Sequence, residues 1–282
     1  MSLKIPVVDR VSAYPGRVKL TPVTGETNMY TMERADSPIT EGTLINKALF
    51  DNKAYTVTED TTVYVTTVGD DANGDGTLSA PYKTIQKAID SIPKHLGGHK
   101  VEIYIDFGVY EENIVVEGFT AGRLIIGSPG NVCIVRAIEI INCSFVELNV
   151  YMIEKTTGNS GSLLTVKDGS NVLIGSDMTL DGINGNIVGI TAENGCHITT
   201  KGDITTTINN CTVAVTAMKC AFVFLNKVTG KGNVFGLSAT QGAIVSYGTD
   251  TMEKSWSNNA DSGGLVITGK NSSDLSGATL DL

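Results

Sequence analysis

The chain has 282 residues, 41% of them hydrophobic, with 31 glycines and a formal net charge of −9. That is enough apolar material for a core and enough glycine for a structure made of short strands and turns. No cluster of five or more basic residues occurs to neutralise phosphates, which argues against sequence-independent nucleic-acid binding. No apolar run approaches the roughly 20 residues that insert across a bilayer.

Residues 1–52 contain four of the seven prolines and only short apolar stretches: Val18, Leu20 and Val23, then Leu44, Ile45, Ala48 and Leu49. So short a piece cannot bury enough surface to stand alone and is expected to fold on its own copies or on a larger assembly. Pro6 and Asp9 fall where a secretory signal would carry its apolar centre, so export by such a signal is not expected.

Residues 53–100 read as a bridge. Tyr55–Thr58 and Thr62–Thr66 are predicted strands by their β-branched and aromatic content, and Gly69–Ser79 is a polar loop. Ile85, Ala88, Ile89 and Ile92 recur at helical spacing after Pro81, which predicts a helix of about three turns ending near Pro93 and Gly97. Coil stacks have raw ends, and this helix is the predicted lid for the first coil.

Residues 101–282 read as the body of the molecule with a C-terminal tail, and between Val116 and Val245 one pattern recurs six times, an apolar residue followed by another eight positions later. The pairs are Val116/Leu124, Ile138/Val146, Val166/Ile174, Ile190/Ile198, Val215/Val223 and Leu237/Val245. A period in the twenties is the signature of a solenoid, and alternation around each pair makes its walls strands. Asp168-Gly169, Asn194-Gly195 and Gln241-Gly242 mark the corners. The predicted fold is all-β, a parallel β-helix.

Stacking the coils assigns faces, because neighbouring strand residues point opposite ways. Ser144, Val172, Cys196, Ala221 and Ala243 are expected to point inward. The column beside them, Phe145, Leu173, His197, Phe222 and Ile244, then points outward, with Arg123 at one end and Asp274 in a looser seventh coil at the other. An outward apolar stripe predicts an interface, most economically between copies of the chain, with Phe145, Leu173, Phe222 and Ile244 as its contacts. The competing expectation is that a loop of the same chain, such as Thr156–Gly161, covers it.

The five cysteines are an odd number without metal-ligand spacing. Cys143, Cys196 and Cys220 fall near corners and are expected to be small buried groups in a reducing compartment. A zinc site using Cys196 and His197 is disfavoured because adjacent strand residues face opposite sides.

The enzyme alternative is a polysaccharide depolymerase, whose hydrolytic chemistry needs two carboxylates roughly 5 to 9.5 Å apart. Asp177 and Asp181 are four apart in one strand, about 13 Å, so a pair must come from adjacent coils. Stacking places Asp177 beside Lys201 as an ion pair and leaves Asp181 with Asp203 as candidates. A lyase would need acidic calcium ligands facing Arg123 or Arg136, and no such cluster is evident. Asp71, Asn73 and Asp75 match the first half of a calcium loop, but Tyr82 stands where a bidentate Glu is required, so a plain turn is the preferred reading. Glu111, Glu112 and Glu117 read as a solvated face. No cofactor is expected.

Two stretches resemble a known family. Arg10–Val23, continuing to Tyr30–Asp36 and Glu41–Ala48, resembles the attachment segment of tail-fibre and baseplate-appendage proteins from phages, prophages and phage-tail-like bacteriocins of Gram-positive bacteria. Val68–Ile89 is similar to the lead-in of pectate-lyase-like right-handed β-helices, where it precedes an N-terminal capping helix. The resemblance implies a homotrimeric structural part of a virion tail, made in the bacterial cytoplasm. Residues 1–52 would dock on the baseplate through Tyr14, Pro15, Arg17, Arg34, Asp36 and Asn46. The solenoid would project towards a host-surface glycan or a distal fibre protein. A tailspike-like depolymerase on the same fold is the alternative it implies.

Overall fold

The computed structural model describes residues 11–12, 18–22, 30–34, 38–40, 56–128, 130, 132–154, 161–183, 186–254, 259–268 and 279–280. The chain divides into two units, Leu3–Ala54 and Tyr55–Leu282. In the first, Val18–Pro22 pairs antiparallel with Tyr30–Arg34, and Val11–Ser12 with Pro38–Thr40.

The second unit is a parallel β-solenoid of three walls. One wall stacks Thr61–Val65, Lys100–Ile105, Arg123–Gly127, Val146–Asn149, Asn171–Ile174 and His197–Thr200, then continues into Phe222–Asn233, Ile244–Lys254 and Leu265–Thr268. A second stacks Gly108–Val109, Cys133–Val135, Met152–Glu154, Met178–Asp181 and Thr205–Asn209. The long strand Phe222–Asn233 pairs with both His197–Thr200 and Thr205–Asn209, so the corner between these walls disappears and they form one sheet. The third wall is a separate seven-stranded sheet running from Asn113–Glu117 to Asn259–Asp261.

Alternation within each strand sends every second side chain inward. Leu124, Val146, Val172, Ile198, Val223, Val245 and Val266 form one buried column, and Ile114, Ile138, Leu164, Ile190, Val215 and Leu237 form another. A third narrows along the stack, from Val116, Ile140 and Val166 to Ala192, Ala217 and Ala239. Each buried Val, Leu or Ile contributes roughly 1.5–3 kcal/mol of apolar transfer, and successive coils supply one another's cover.

Corners need a left-handed residue pair. Asp168-Gly169, Asn194-Gly195, Gln241-Gly242 and Ser262-Gly263 each have two consecutive positive φ angles. Lys219-Cys220 does the same without a glycine. Cys220 is therefore exposed at a corner rather than buried as expected, whereas Cys143 and Cys196 are buried.

Two inferred registers are corrected. Ile138 pairs with Ile114 and Leu164, not with Val116 and Val166, and Val146 pairs with Val172, not Ile174. Leu164/Val172 has the same spacing of eight as Val166/Ile174, and all four are apolar and inward, so sequence alone leaves a two-residue ambiguity. Ser144, expected inside, is exposed, and Cys143 is buried beside it.

The helix spans Ile85–Ser91, one turn shorter than expected, and buries Ile85, Ala88, Ile89 and Ser91. Thr84 is its N-cap, accepting from the Lys87 N–H at 3.3 Å. The helix packs against Thr61–Val65, Lys100–Ile105 and Asn113–Glu117, the first strands of the stack.

Candidate functional site

The outer face of the first wall carries the predicted stripe. Pairing places Lys100, Arg123, Phe145, Asn171, His197, Phe222, Ile244 and Leu265 in one outward row. Leu173 is not in it. The two-residue shift puts Asn171 in register with His197, and Leu173 stands one outward position further along, beside Glu147 and Thr199.

That second row reads Glu102, Ile125, Glu147, Leu173, Thr199, Phe224, Ser246 and Ile267. The face therefore divides by chemistry. Its early coils are charged: the Arg123 guanidinium bonds the Glu147 carboxylate and lies 5.4 Å from the Phe145 ring centroid. Glu147 is only 4% exposed, and Asn149 Nδ2 donates to its Oε1 at 3.3 Å. Gly175 makes room for both, since a Cβ there would lie 2.4 Å from Asn149 Oδ1 and 2.5 Å from Glu147 Oε1.

The later coils carry a mixed patch two rows wide, in which Leu173, Phe222, Phe224, Ile244, Leu265 and Ile267 are apolar and half-buried and His197, Thr199 and Ser246 are set among them. His197 stands exposed within it, its ring edge-on to Phe222 at 5.8 Å. Sequence reasoning missed Phe224 and Ile267 as outward partners. The signal was present in Phe222-Val223-Phe224 and Leu265-Val266-Ile267, apolar triplets whose middle residue is the inward one. Thr156 to Ser160 and Asp274 lie outside the described residues. The nearest described residues on either side, Glu154 and Gly161, flank the corner between the second wall and the smaller sheet.

The candidate acids are not brought together. Asp177 is exposed and accepts the Thr205 N–H at 2.7 Å, and Lys201 stands in register with Gly175, not with Asp177 as expected. Asp181 accepts from Ile183 N at 3.0 Å and from Asn210 Nδ2 at 2.8 Å. Asp203 faces Lys227 at 3.7 Å. Asp181 pairs in register with Asn209, at the far end of the strand Thr205–Asn209 from Asp203, and that strand alone is about 13 Å long at ~3.3 Å per residue. Both solenoid arginines do meet acids, contrary to expectation: Arg123 meets Glu147, and Arg136 lies between Glu111 and Glu154. These contacts neutralise the guanidinium groups.

The calcium-like loop is held by its own hydrogen bonds. Asp71 accepts from Lys83 N, Thr84 N and Thr84 Oγ1 at 2.8, 3.0 and 2.7 Å. Asn73 Nδ2 donates to Asp70 Oδ2 at 2.8 Å, and Asp75 accepts from Thr77 N at 3.0 Å. Among the described residues no three His, Cys, Asp or Glu side chains are placed to share a metal ion.

Glu112 is half-buried and accepts the Ile85 and Gln86 N–H groups, both at 2.9 Å, so it is a helix anchor rather than part of a solvated face. Burial raises its pKa against those two bonds, and the Asp71 charge adds to the rise. Burial pushes the thiols of Cys196 and Cys211 up to about 11 and about 12, which keeps them protonated and unreactive.

Of the expected docking residues, Tyr14, Pro15, Arg17, Asp36 and Asn46 lie outside the described residues, and Arg34 ends the strand Tyr30–Arg34. Among the described residues no helix is long and apolar enough to cross a membrane. Comparison with protein-family models, with curated proteins and with solved structures finds no match to this chain.

Proposed function

We propose that this chain is a structural subunit of a phage or prophage tail, a fibre or baseplate appendage. In this reading residues 1–52 dock on the particle and the solenoid projects towards the host surface. Copies associate as a closed trimer through the outer face of the first wall.

The observation that carries the reading is the two-row apolar patch on a solenoid whose acidic candidates are each engaged separately. Apolar side chains gathered on a rigid wall, here interrupted by His197, Thr199 and Ser246, favour cover by another surface. With strands about 4.8 Å apart, five coils and two outward positions span about 24 by 7 Å. That is about 170 Å², far short of the ~800 Å² per partner of a stable interface. The remaining area is assigned to residues 1–52, whose apolar stretches also need a partner. The resemblance of that segment to tail-attachment sequences supports the same division of labour.

Sedimentation equilibrium tests it. Wild-type protein is expected at three times the chain mass, and Phe222→Asp with Phe224→Asp at the chain mass. Phe145→Asp should weaken association less, because Arg123 stands beside that ring. A monomeric wild type, or a trimeric double variant, would sink the proposal.

A further inference from the structure

In the later coils of the two outward rows, from Asn171 and Leu173 to Ile244 and Ser246, His197 is the only ionisable side chain. It is exposed in the single chain, with Asn171 and Phe222 beside it in its own row. The strands packed against it bring no acid. Asn171–Ile174 carries no charge, and the charged residues of Phe222–Asn233, Lys227 and Lys231, begin five positions past Phe222. Lys219 and Cys220 form the corner before that strand, and Lys201 follows His197 by four residues, about 13 Å at ~3.3 Å per residue.

The acids of the surrounding coils are engaged elsewhere. Glu147, two coils away, meets Arg123; Glu193, at the preceding corner, meets Lys219 at 3.4 Å; Asp168 accepts Asn194 Nδ2 at 2.7 Å. The Phe222 ring lies 5.8 Å from the imidazole in free and associated chains alike, so that contact does not discriminate between them. Water does. It solvates the imidazolium of a free chain and is excluded when an apolar surface covers the wall, and no acid on the wall replaces it.

We infer that His197 makes the association of copies pH-dependent, protonation of its imidazole releasing the trimer. The inference rests on the trimer proposed above. Linkage fixes the sign: the proton binds the free chain more tightly than the associated one, so association is strongest above the free value and weakens as pH falls below it. An ordinary histidine titrates near 6.5, which sets the window. With three imidazoles per trimer, the association constant falls by up to about 1,000-fold per pH unit within it.

Sedimentation equilibrium over a dilution series at pH 8 and pH 5.5 is the test, with circular dichroism to follow the strands at both. Wild type is expected as a trimer at pH 8, with an association constant at least about tenfold lower at pH 5.5 and strands intact. His197→Gln, neutral throughout, is expected to hold one association constant across the two. That variant also separates His197 from the two other histidines, His95 and His99, which precede the strand Lys100–Ile105. An unchanged wild-type constant, loss of the strands at pH 5.5, or a Gln variant that follows wild type overturns the inference and leaves the trimer standing. A wild type monomeric at pH 8 overturns both. Should His197→Gln fail to fold or to associate at pH 8, His197→Phe provides the second arm, and pH-dependent association in that variant overturns the inference.

Discussion

At residue scale the corners show what the backbone demands. Four corner pairs place glycine second, where φ is between 69° and 79°, and the fifth places Cys220 there at φ 60°. A left-handed conformation costs a non-glycine residue roughly 1–2 kcal/mol, partly offset because glycine loses more chain entropy on folding. Cys220→Gly is therefore expected to raise stability by about 0.5 kcal/mol in chemical denaturation; a loss would mean that the Sγ contact with Gln241 O at 3.9 Å matters more than the strain. These corners were legible in the sequence because Asp-Gly and Asn-Gly have few other uses. Register was legible only modulo two. Leu164, Val166, Val172 and Ile174 all point inward, so the spacing rule fits either choice, and the displaced choice moved Leu173 into the wrong row and Asp177 beside Lys201. Local hydrogen bonds such as Asp177 to Thr205 N leave no such periodic signal.

At the scale of the capping helix, two carboxylates hold one terminus and titrate in opposite senses. Burial acts to raise the Asp71 pKa, but the hydrogen bonds from Thr84 and Lys83 and the nearby Lys87 charge outweigh it and leave the group below its ordinary value. Its stabilisation is present above the unfolded value of about 3.9 and lost as pH falls through the lower folded one. Glu112 is raised by burial, so its contribution is present below about 4.3 and lost as pH rises through the folded value. Urea denaturation of the variants should separate them. Asp71→Asn should cost about 1–2 kcal/mol at pH 7, with the deficit shrinking only below about pH 4. Wild type should lose ground to Glu112→Gln as pH rises from about 4 towards 7. Parallel pH curves for the two variants would show that the helix does not sense either charge. The helix itself was legible from Ile85, Ala88, Ile89 and Ile92, but its anchors were not, because Glu112 lies 26 residues from Gln86 and only the winding of the first coil brings them together.

At the scale of the whole molecule the solenoid is close to one-dimensional, each coil resting on the two beside it. The eightfold pairs made that architecture readable from sequence, whereas the second apolar row required knowing which strand residues stand side by side across coils. One-dimensional stacking also makes the effect of a core substitution depend on its position along the axis. Ile198 and Val266 are both almost fully buried in one inward column, but Ile198 has coils on both sides and Val266 is the last of the column among the described residues. Ile198→Ala should cost about 2–5 kcal/mol and uncouple the halves, so that hydrogen exchange accelerates in Asn171–Ile174 and Phe222–Asn233 together and thermal unfolding broadens or splits. Val266→Ala should accelerate exchange in Leu265–Thr268 and its neighbour Ile244–Lys254, with little change in the main transition. Equal losses from the two substitutions, with one sharp transition in each, would mean that cooperativity spans the whole stack and that nearest-neighbour coupling does not govern it.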